Sequence, residues 1–217
     1  MSFDWMFAWS ILPELLAGLG VTLEVVVAGF CCAVLIGGAA AIARQCPFSA
    51  PRLLSRAYIA FFRQTPLLVQ LYFLFFALPL SGLALPAIAT GVLGLGLYYG
   101  AYIAEAFRGA INDVPKGQWE AARALDFSPP ALWRRIILPQ AMKPMVPVLG
   151  NYLIGMFKET PLLAVITIPE LFQAAKQIAG VTYRYNEPYT LMAVLFLAIS
   201  LPTSFLFNYL ERRRSHG

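Results

Sequence analysis

Lys158 and Glu159 stand side by side about halfway along a stretch, Pro147 to Ile168, that is otherwise dominated by apolar residues. Ionisable groups are costly in lipid, and where they occur there they mark function by default. An ammonium beside a carboxylate could engage the two charges of a zwitterionic solute. It could equally neutralise other buried charges and fix packing. Pro161, just beyond, loosens the helix and frees backbone groups that a polar solute could use. Tyr98 and Tyr102, one helical turn apart, offer an aromatic face to an ammonium-like cation, or else simply pack between helices. Gln64 and Thr65 beside Pro66 could cap or gate, and Glu105 and Arg108, at i,i+3 spacing, should pair structurally.

This inventory suits recognition rather than bond-making. No nucleophile–base pair is visible. The cysteines are Cys31 and Cys32, inside an apolar block, and Cys46 in a basic loop; the one histidine is His216, so no metal-ligand spacing exists. The run Gly94-Leu95-Gly96-Leu97-Tyr98-Tyr99-Gly100 lacks the Lys-Ser/Thr of a phosphate-binding loop and reads as a surface for close helix packing. The chain therefore has no nucleotide loop of its own.

The elements that must hold these residues follow from composition. With 217 residues, 59% hydrophobic and 12% charged, the chain lies far from the soluble norm of about a quarter charged. Lipid is the expected solvent, and the net charge of +5 need not imply nucleic acid. Five blocks approach the roughly 20 apolar residues that cross a bilayer: Leu19 to Ala43, Tyr58 to Leu80, Ala84 to Ala106, Pro147 to Ile168 and Tyr189 to Tyr209. The first reads as a span rather than a cleaved leader, because it is long, starts late, and has Asp4 and Glu14 where a basic region should be. The expected fold is all-α: one polytopic membrane domain over 1–217 with no soluble domain besides.

Basic residues alternate between the ends of these blocks. Arg44, Arg52, Arg56 and Arg63 follow the first; Arg108, Lys116, Arg123, Arg134, Arg135 and Lys143 follow the third; Arg212, Arg213 and Arg214 follow the last. The segment before the first block and the turn near Pro79 to Leu85 have none. This predicts an outside N-terminus and a cytoplasmic C-terminus.

The cytoplasmic segment at about 115–143 differs from its surroundings. Gln118 to Leu125 is rich in helix formers, with Glu120 in the first turn, where the helix dipole favours a carboxylate. Asp126 can take a left-handed turn. Ser128 and Pro129 suit the start of a second helix, Ala131 to Leu138, which Pro139 should stop. Two short helices result, with Ala121 and Ala122 exposed on the first. Such a pair could fit another protein's groove, with Arg123 and Arg134 setting register. The same pattern also suits a pair lying on lipid headgroups.

Glu120-Ala121-Ala122, three residues, Asp126, nine residues, then Ile136, Leu138 and Pro139 resembles the EAA loop by which ABC importer permeases dock on their ATPases. The loop's glycine is here Asp126, which puts the turn, not the docking, in question. The opening Gly18 and Val21-Thr22-Leu23, the run from Phe62 to Gln70, Tyr98 with Glu105 to Gly109, and Phe157-Lys158-Glu159-Thr160-Pro161-Leu162 are similar to polar-amino-acid permeases, so the likeness covers nearly the whole chain. It implies five spans, no bound cofactor, and a bacterial plasma (inner) membrane location. The implied partners are an ABC ATPase that binds ATP-Mg, a second identical or homologous permease subunit, and a periplasmic or lipid-tethered solute-binding protein. There is no nucleic acid among them. The absence of an internal repeat fits, since pairing would supply the symmetry.

In the resembling family the Lys-acid-Ser/Thr segment lines the substrate path, which implies that role for Glu159 first, and for Lys158 and Thr160 beside it. The implied substrate is a polar amino acid or a relative. The segments Phe157–Leu162 and Arg184-Tyr185-Asn186-Glu187-Pro188-Tyr189 look like those of ectoine and hydroxyectoine permeases. The rival from another class is a transporter or channel run by an ion gradient without an ATPase, using Lys158, Glu159 and Glu105 as a relay.

Overall fold

Where lipid offers no partner, backbone N–H and C=O groups must be satisfied inside helices. The computed structural model describes residues 3–215, except for the side chains of Asn208 and residues 210–215, and shows helices and turns without strands among the described residues. His216 and the side chains of Arg212, Arg213 and Arg214 lie outside the described residues.

Helix α1 (Trp5–Gln45) begins well before Leu19, because Asp4 caps it: its carboxylate accepts from the N–H groups of Met6 and Phe7. Beside it runs α4 (Ala87–Asn112). They approach closely because bulk is missing where they meet. A Cβ on Gly37 would lie 2.7 Å from the Gly100 carbonyl oxygen, and one on Gly96 would strike Cys32 Sγ. The glycine run is a packing surface, as expected. The last helix, α9 (Asn186–Ser215), starts at the loop that follows α8 (Leu171–Thr182).

Three helical segments, Trp5–Gln45, Ala87–Asn112 and Asn186–Phe207, are each long and apolar enough to cross a membrane. Two more spans exist only if bent pairs count as one: Ser49–Gln64 with Leu67–Ser81, bent by 107°, and Pro129–Ile166 with Leu171–Thr182, bent by 50°. Side chains such as Leu35 and Leu54, each 73% exposed, leave the apolar exterior that lipid requires.

The first bent pair corrects the expectation of an unbroken span from Tyr58 to Leu80. Helix α2 (Ser49–Gln64) ends at Thr65, which is extended (φ −105°, ψ 137°), and α3 (Leu67–Tyr72) starts after Pro66. Pro66 has no N–H to continue the ladder, and its ring disfavours the helical conformation in the residue before it. Gln70 Nε2 spans the break, donating to the carbonyls of Phe62 (3.1 Å) and Thr65 (3.0 Å) and to Thr65 Oγ1 (2.7 Å). After α3 come a π turn, Phe73–Ala77, and a 3-10 turn, Leu78–Ser81.

The second correction lies in the basic segment. Helix α5 (Lys116–Ala124) is followed by α6 (Pro129–Leu132), a π turn Trp133–Ile137, and α7 (Leu138–Glu159). Pro139 does not stop anything. It falls in the first positions of α7, just after the π turn, where its missing N–H is tolerated. The second short helix is therefore joined to the helix that carries Lys158 and Glu159. Beyond Glu159 the chain tightens into a 3-10 stretch, Thr160–Ile166, with Pro161 at its start, so the expected span from Pro147 to Ile168 is part α-helix and part 3-10. Glu170 then caps α8, and Leu171 N–H donates to Thr22 Oγ1 on α1 at 3.1 Å.

The main core gathers Val25, Val26, Leu71, Leu95, Tyr99, Met156 and Leu163 between α1, α3, α4 and α7. A second cluster, with Ile111, Ala122, Leu132, Ile137 and Met145, anchors the short helices on the end of α4.

Candidate functional site

Glu159, at the last turn of α7, turns toward α4: its Oε2 accepts from Tyr99 Oη at 2.9 Å. Tyr99 is the neighbour of Tyr98, whose hydroxyl lies 3.3 Å from that of Tyr102. The rings of Tyr98 and Tyr99 meet edge-on at 5.4 Å, and Tyr152 approaches both Tyr99 and Tyr102 at 6.2 Å. One carboxylate thus bonds a tyrosine that belongs to a contiguous cluster of four aromatic rings, three on α4 and one on α7. A carboxylate with aromatic walls can hold an ammonium or a delocalised cation.

Lys158 does not join this group. It is exposed, has no ion pair among those formed by the described residues, and leaves α7 about 100° round the helix from Glu159. Thr160 is fully buried, and its hydroxyl is committed to the carbonyl of Phe157 at 2.8 Å. Gln64 is exposed and lines a cavity with Tyr102, Arg63 and Glu105. Glu105 pairs with Arg108 as its spacing implied (Arg108 Nε to Oε1 2.7 Å, with Arg108 Nη2 on the same oxygen), and Arg44 of α1 also binds it, at 2.7 Å. The partners that sequence reasoning missed are Tyr99, Tyr152 and Arg44. Tyr152 carried a signal, lying two turns before Glu159 on one helix face. Arg44 carried none.

The pair of short helices read from the sequence as a docking element is built differently, by local rules. Helix α5 ends in a Schellman motif: the Phe127 N–H donates to Ala122 O (3.1 Å) and the Asp126 N–H to Arg123 O (3.0 Å). That motif needs a left-handed residue, and Asp126 supplies it at φ +52°. Gln140 Nε2 ties the two arms together, donating to Gln118 Oε1 (3.2 Å) and Ile136 O (2.9 Å). Trp119 and Trp133 pack edge to face at 5.4 Å, a contact worth about 0.5–1.5 kcal/mol beyond its buried area. Glu120, Ala121, Asp126, Leu138 and Pro139 are exposed, and Ile136 is half-buried.

Ala122 departs from expectation. It is 1% exposed and packs inward against Val114, Leu132 and Ile137, which is the reason a small side chain is needed there. Ala121 alone of the two faces outward.

At the end of the bundle where α1 begins, Arg184 sits over the Phe7 ring (4.2 Å) and bonds Asp4 (3.2 Å) and Glu187 (2.7 Å), while Asp4 N–H donates to Glu187 Oε1 (3.0 Å). This clasp joins the start of α1 to the start of α9. The Phe7 N–H and the Arg184 guanidinium hold the Asp4 carboxyl below its usual range.

Residues 33–216 match the family model described as binding-protein-dependent transport system inner membrane component. The chain is 40% identical over 205 residues to a probable amino-acid ABC transporter permease protein of Sinorhizobium fredii, covering 94% of this chain and 89% of that one. It is 36% identical over 215 residues to the glutamine transport system permease protein of Escherichia coli, covering 98% of each. Among solved structures, an amino acid ABC transporter crystallised with histidines superposes with a TM-score of 0.92 at 36% identity, over 98% of this chain and all of that one. The MetNI methionine ABC transporter shares the fold at 19% identity and a TM-score of 0.66, covering 96% and 99%.

Proposed function

The chain belongs to the inner membrane components of binding-protein-dependent transport systems, and on that premise we propose that it forms one half of an amino-acid import path whose walls are moved by a separate ATPase. It is a multi-pass protein of the bacterial inner membrane and a permease of the ABC importer type, a component that is not itself catalytic. In this reading each bent pair counts as a span, giving five, with the N-terminus outside and the docking pair in the cytoplasm.

The observation that carries the mechanism is continuity. The docking pair is joined through α6 and the π turn to α7, and α7 ends at Glu159. An ATPase that grips Glu120, Ala121, Asp126, Ile136, Leu138 and Pro139 in a groove, with Ala122 as the packing behind them, therefore holds one end of a rod whose other end carries the carboxylate. ATP binding draws two ATPases together, and two such rods, one from each permease subunit, move with them. Nucleotide and a loaded binding protein must both favour the same outward state for coupling to occur. ATP and its magnesium stay in the partner; this chain needs no cofactor.

Glu159, Tyr98, Tyr99 and Tyr102 receive the ammonium or delocalised cationic group of a polar amino acid or relative, and Tyr152 closes one side. Lys158, turned outward, faces the second permease subunit across the path. Thr160 fixes the end of α7 beside Glu159, and Gln64 lines the way out. Support for the substrate class comes from the glutamine permease, similar along its whole length, and from the amino acid transporter of matching fold.

The test is reconstitution in liposomes with its partner ATPase and solute-binding protein, offering glutamine, arginine, histidine, ectoine and hydroxyectoine. Uptake that needs ATP is expected, and Glu159→Gln should cut it by about tenfold with the complex intact, the loss of one charge-assisted contact. Uptake by the chain alone on a proton gradient would replace this reading with an ion-driven transporter.

A further inference from the structure

A cavity of about 420 Å3 lies between α1, α2 and α4, near the last turn of α1 and toward the end of α4 that leads to the docking pair; its polar lining is Arg44, Arg56, Arg63, Gln64, Tyr102 and Glu105. Three guanidinium groups face it against one carboxylate, and both oxygens of that carboxylate are already in ion pairs with arginines. Arg44 holds Glu105 Oε2 at 2.7 Å, while Arg108 holds Oε1. Arg56 and Arg63 have no acidic partner among the described residues. Arg63 instead rests its guanidinium over the Tyr102 ring at 5.3 Å, a weaker hold than a carboxylate gives.

Tyr102 belongs to both places. It lines this cavity, and its hydroxyl lies 3.3 Å from that of Tyr98 in the cluster around Glu159. From Tyr99, which bonds Glu159, to Tyr102 is about one turn along α4 toward the docking pair. A solute leaving Glu159 in that direction therefore meets Tyr102 and then the two unpaired arginines. The two ends have opposite preferences. Glu159 suits a cationic group and repels a carboxylate; a planar guanidinium suits a carboxylate and can grip both of its oxygens.

We propose that this cavity is a carboxylate-binding stop on the inward side of the path, with Arg63 and Arg56 gripping the carboxylate of the transported solute and Tyr102 as its wall. The inference rests on the import reading above and adds a second site with the opposite charge preference. Glu105 acts here as a positioning residue: its two oxygens are bonded by Arg44 and Arg108, so it makes no direct ion pair with Arg63. Because Arg56 and Arg63 are exposed, water screens them and the site is weak, as a point of departure must be.

The experiment uses the assembled permease–ATPase complex in nanodiscs of phosphatidylcholine alone. Arginines are labelled with phenylglyoxal, and the modified positions are mapped by mass spectrometry. The probe is millimolar L-glutamine, against glutaminamide, which lacks the carboxylate. L-Glutamine should slow labelling of Arg56 and Arg63 by about threefold, with glutaminamide inert, as expected for a carboxylate covering an exposed guanidinium. Equal protection by both, no protection by either, or protection only after phosphatidylglycerol is added to the discs would overturn the assignment, the last by making the ligand a lipid headgroup. A second arm reads transport: Arg63→Gln should lower the maximal uptake rate by about tenfold, with Arg63→Lys recovering part of it. If Arg63→Gln fails to assemble, protection of the wild-type complex decides. A wild-type complex without ATP-dependent uptake would sink the import reading itself. Normal import, an unchanged rate in Arg63→Gln and no protection would sink only the cavity.

Discussion

At Pro66 the chain turns through 107° between α2 and α3, whereas at Pro139 it passes from the π turn into α7 without leaving helical conformation. The difference lies in what surrounds each proline. Thr65 is extended, and the Gln70 side chain, not the backbone, reaches across to the Phe62 and Thr65 carbonyls. Pro139 stands in the first turn after a π turn, where no N–H is missed. One interruption separates two elements; the other transmits. It is the transmitting one that links the exposed docking residues to Glu159.

If that link matters, cutting the docking end should have the largest effect. Glu120→Arg should prevent the ATPase from copurifying, or leave its hydrolysis uncoupled from uptake. A reversed charge at an interface costs several kcal/mol, a hundredfold or so in affinity, and unchanged assembly with normal uptake would refute the docking role. Next comes the link itself. Deleting Arg134 should convert the π turn to ordinary helix and rotate the docking pair by about 100° relative to α7. The expected result is ATP hydrolysis with uptake lowered by at least about tenfold; normal uptake would mean the π turn carries no register.

The contrast between the two breaks can be sharpened with Gln70→Ala and Pro139→Ala, compared by thermal unfolding. Removing Gln70 strips donors from the Phe62 and Thr65 carbonyls, at a cost of about 1–3 kcal/mol. Pro139→Ala should stay within about 0.5 kcal/mol, since the ring neither breaks nor builds the turn. Asp126→Gly should stabilise the protein by about 1 kcal/mol, because the left-handed turn at φ +52° strains any residue with a Cβ.

The smallest effect belongs to the Asp4–Arg184–Glu187 clasp at the start of α1, far from both breaks. Asp4 titrates below its usual value, so the stability it contributes is present above the unfolded carboxylate range and is lost as pH falls through the lowered folded value. The protection factors of amides at the start of α1, corrected for the intrinsic pH dependence of exchange, should fall on acidification from neutral to below pH 4 or so, and Asp4→Asn should flatten that dependence. A profile equally steep in Asp4→Asn would remove Asp4 from the clasp.

What the sequence made legible was what it encodes locally. The Asp126 turn, the Glu105–Arg108 pair and the close-packing glycines follow from neighbours in the chain. The residues from Gln118 to Pro129 likewise announced two short helices joined by a turn. The contact between Glu159 and Tyr99 spans 60 positions, and that of Arg44 with Glu105 spans 61, so no periodicity could disclose either. Ala122 was misjudged because a small side chain suits an exposed smooth face and a tight buried contact alike; only the neighbours Val114 and Ile137 decide between them. Proline misled in both directions. Its effect depends on whether its own position would have used an N–H, and on the conformation open to the residue before it.

The most direct measurement of the central claim is a pair of spin-label distances in the assembled transporter, with and without trapped ATP. One pair joins the exposed positions Arg123 and Asn151 within a subunit; the other joins Arg123 in one subunit to Arg123 in its partner. The account predicts that ATP shortens the distance between subunits and leaves the distance within each unchanged. A distance within the subunit that changes as much as the one between subunits would contradict it, because the docking pair and α7 would then move separately.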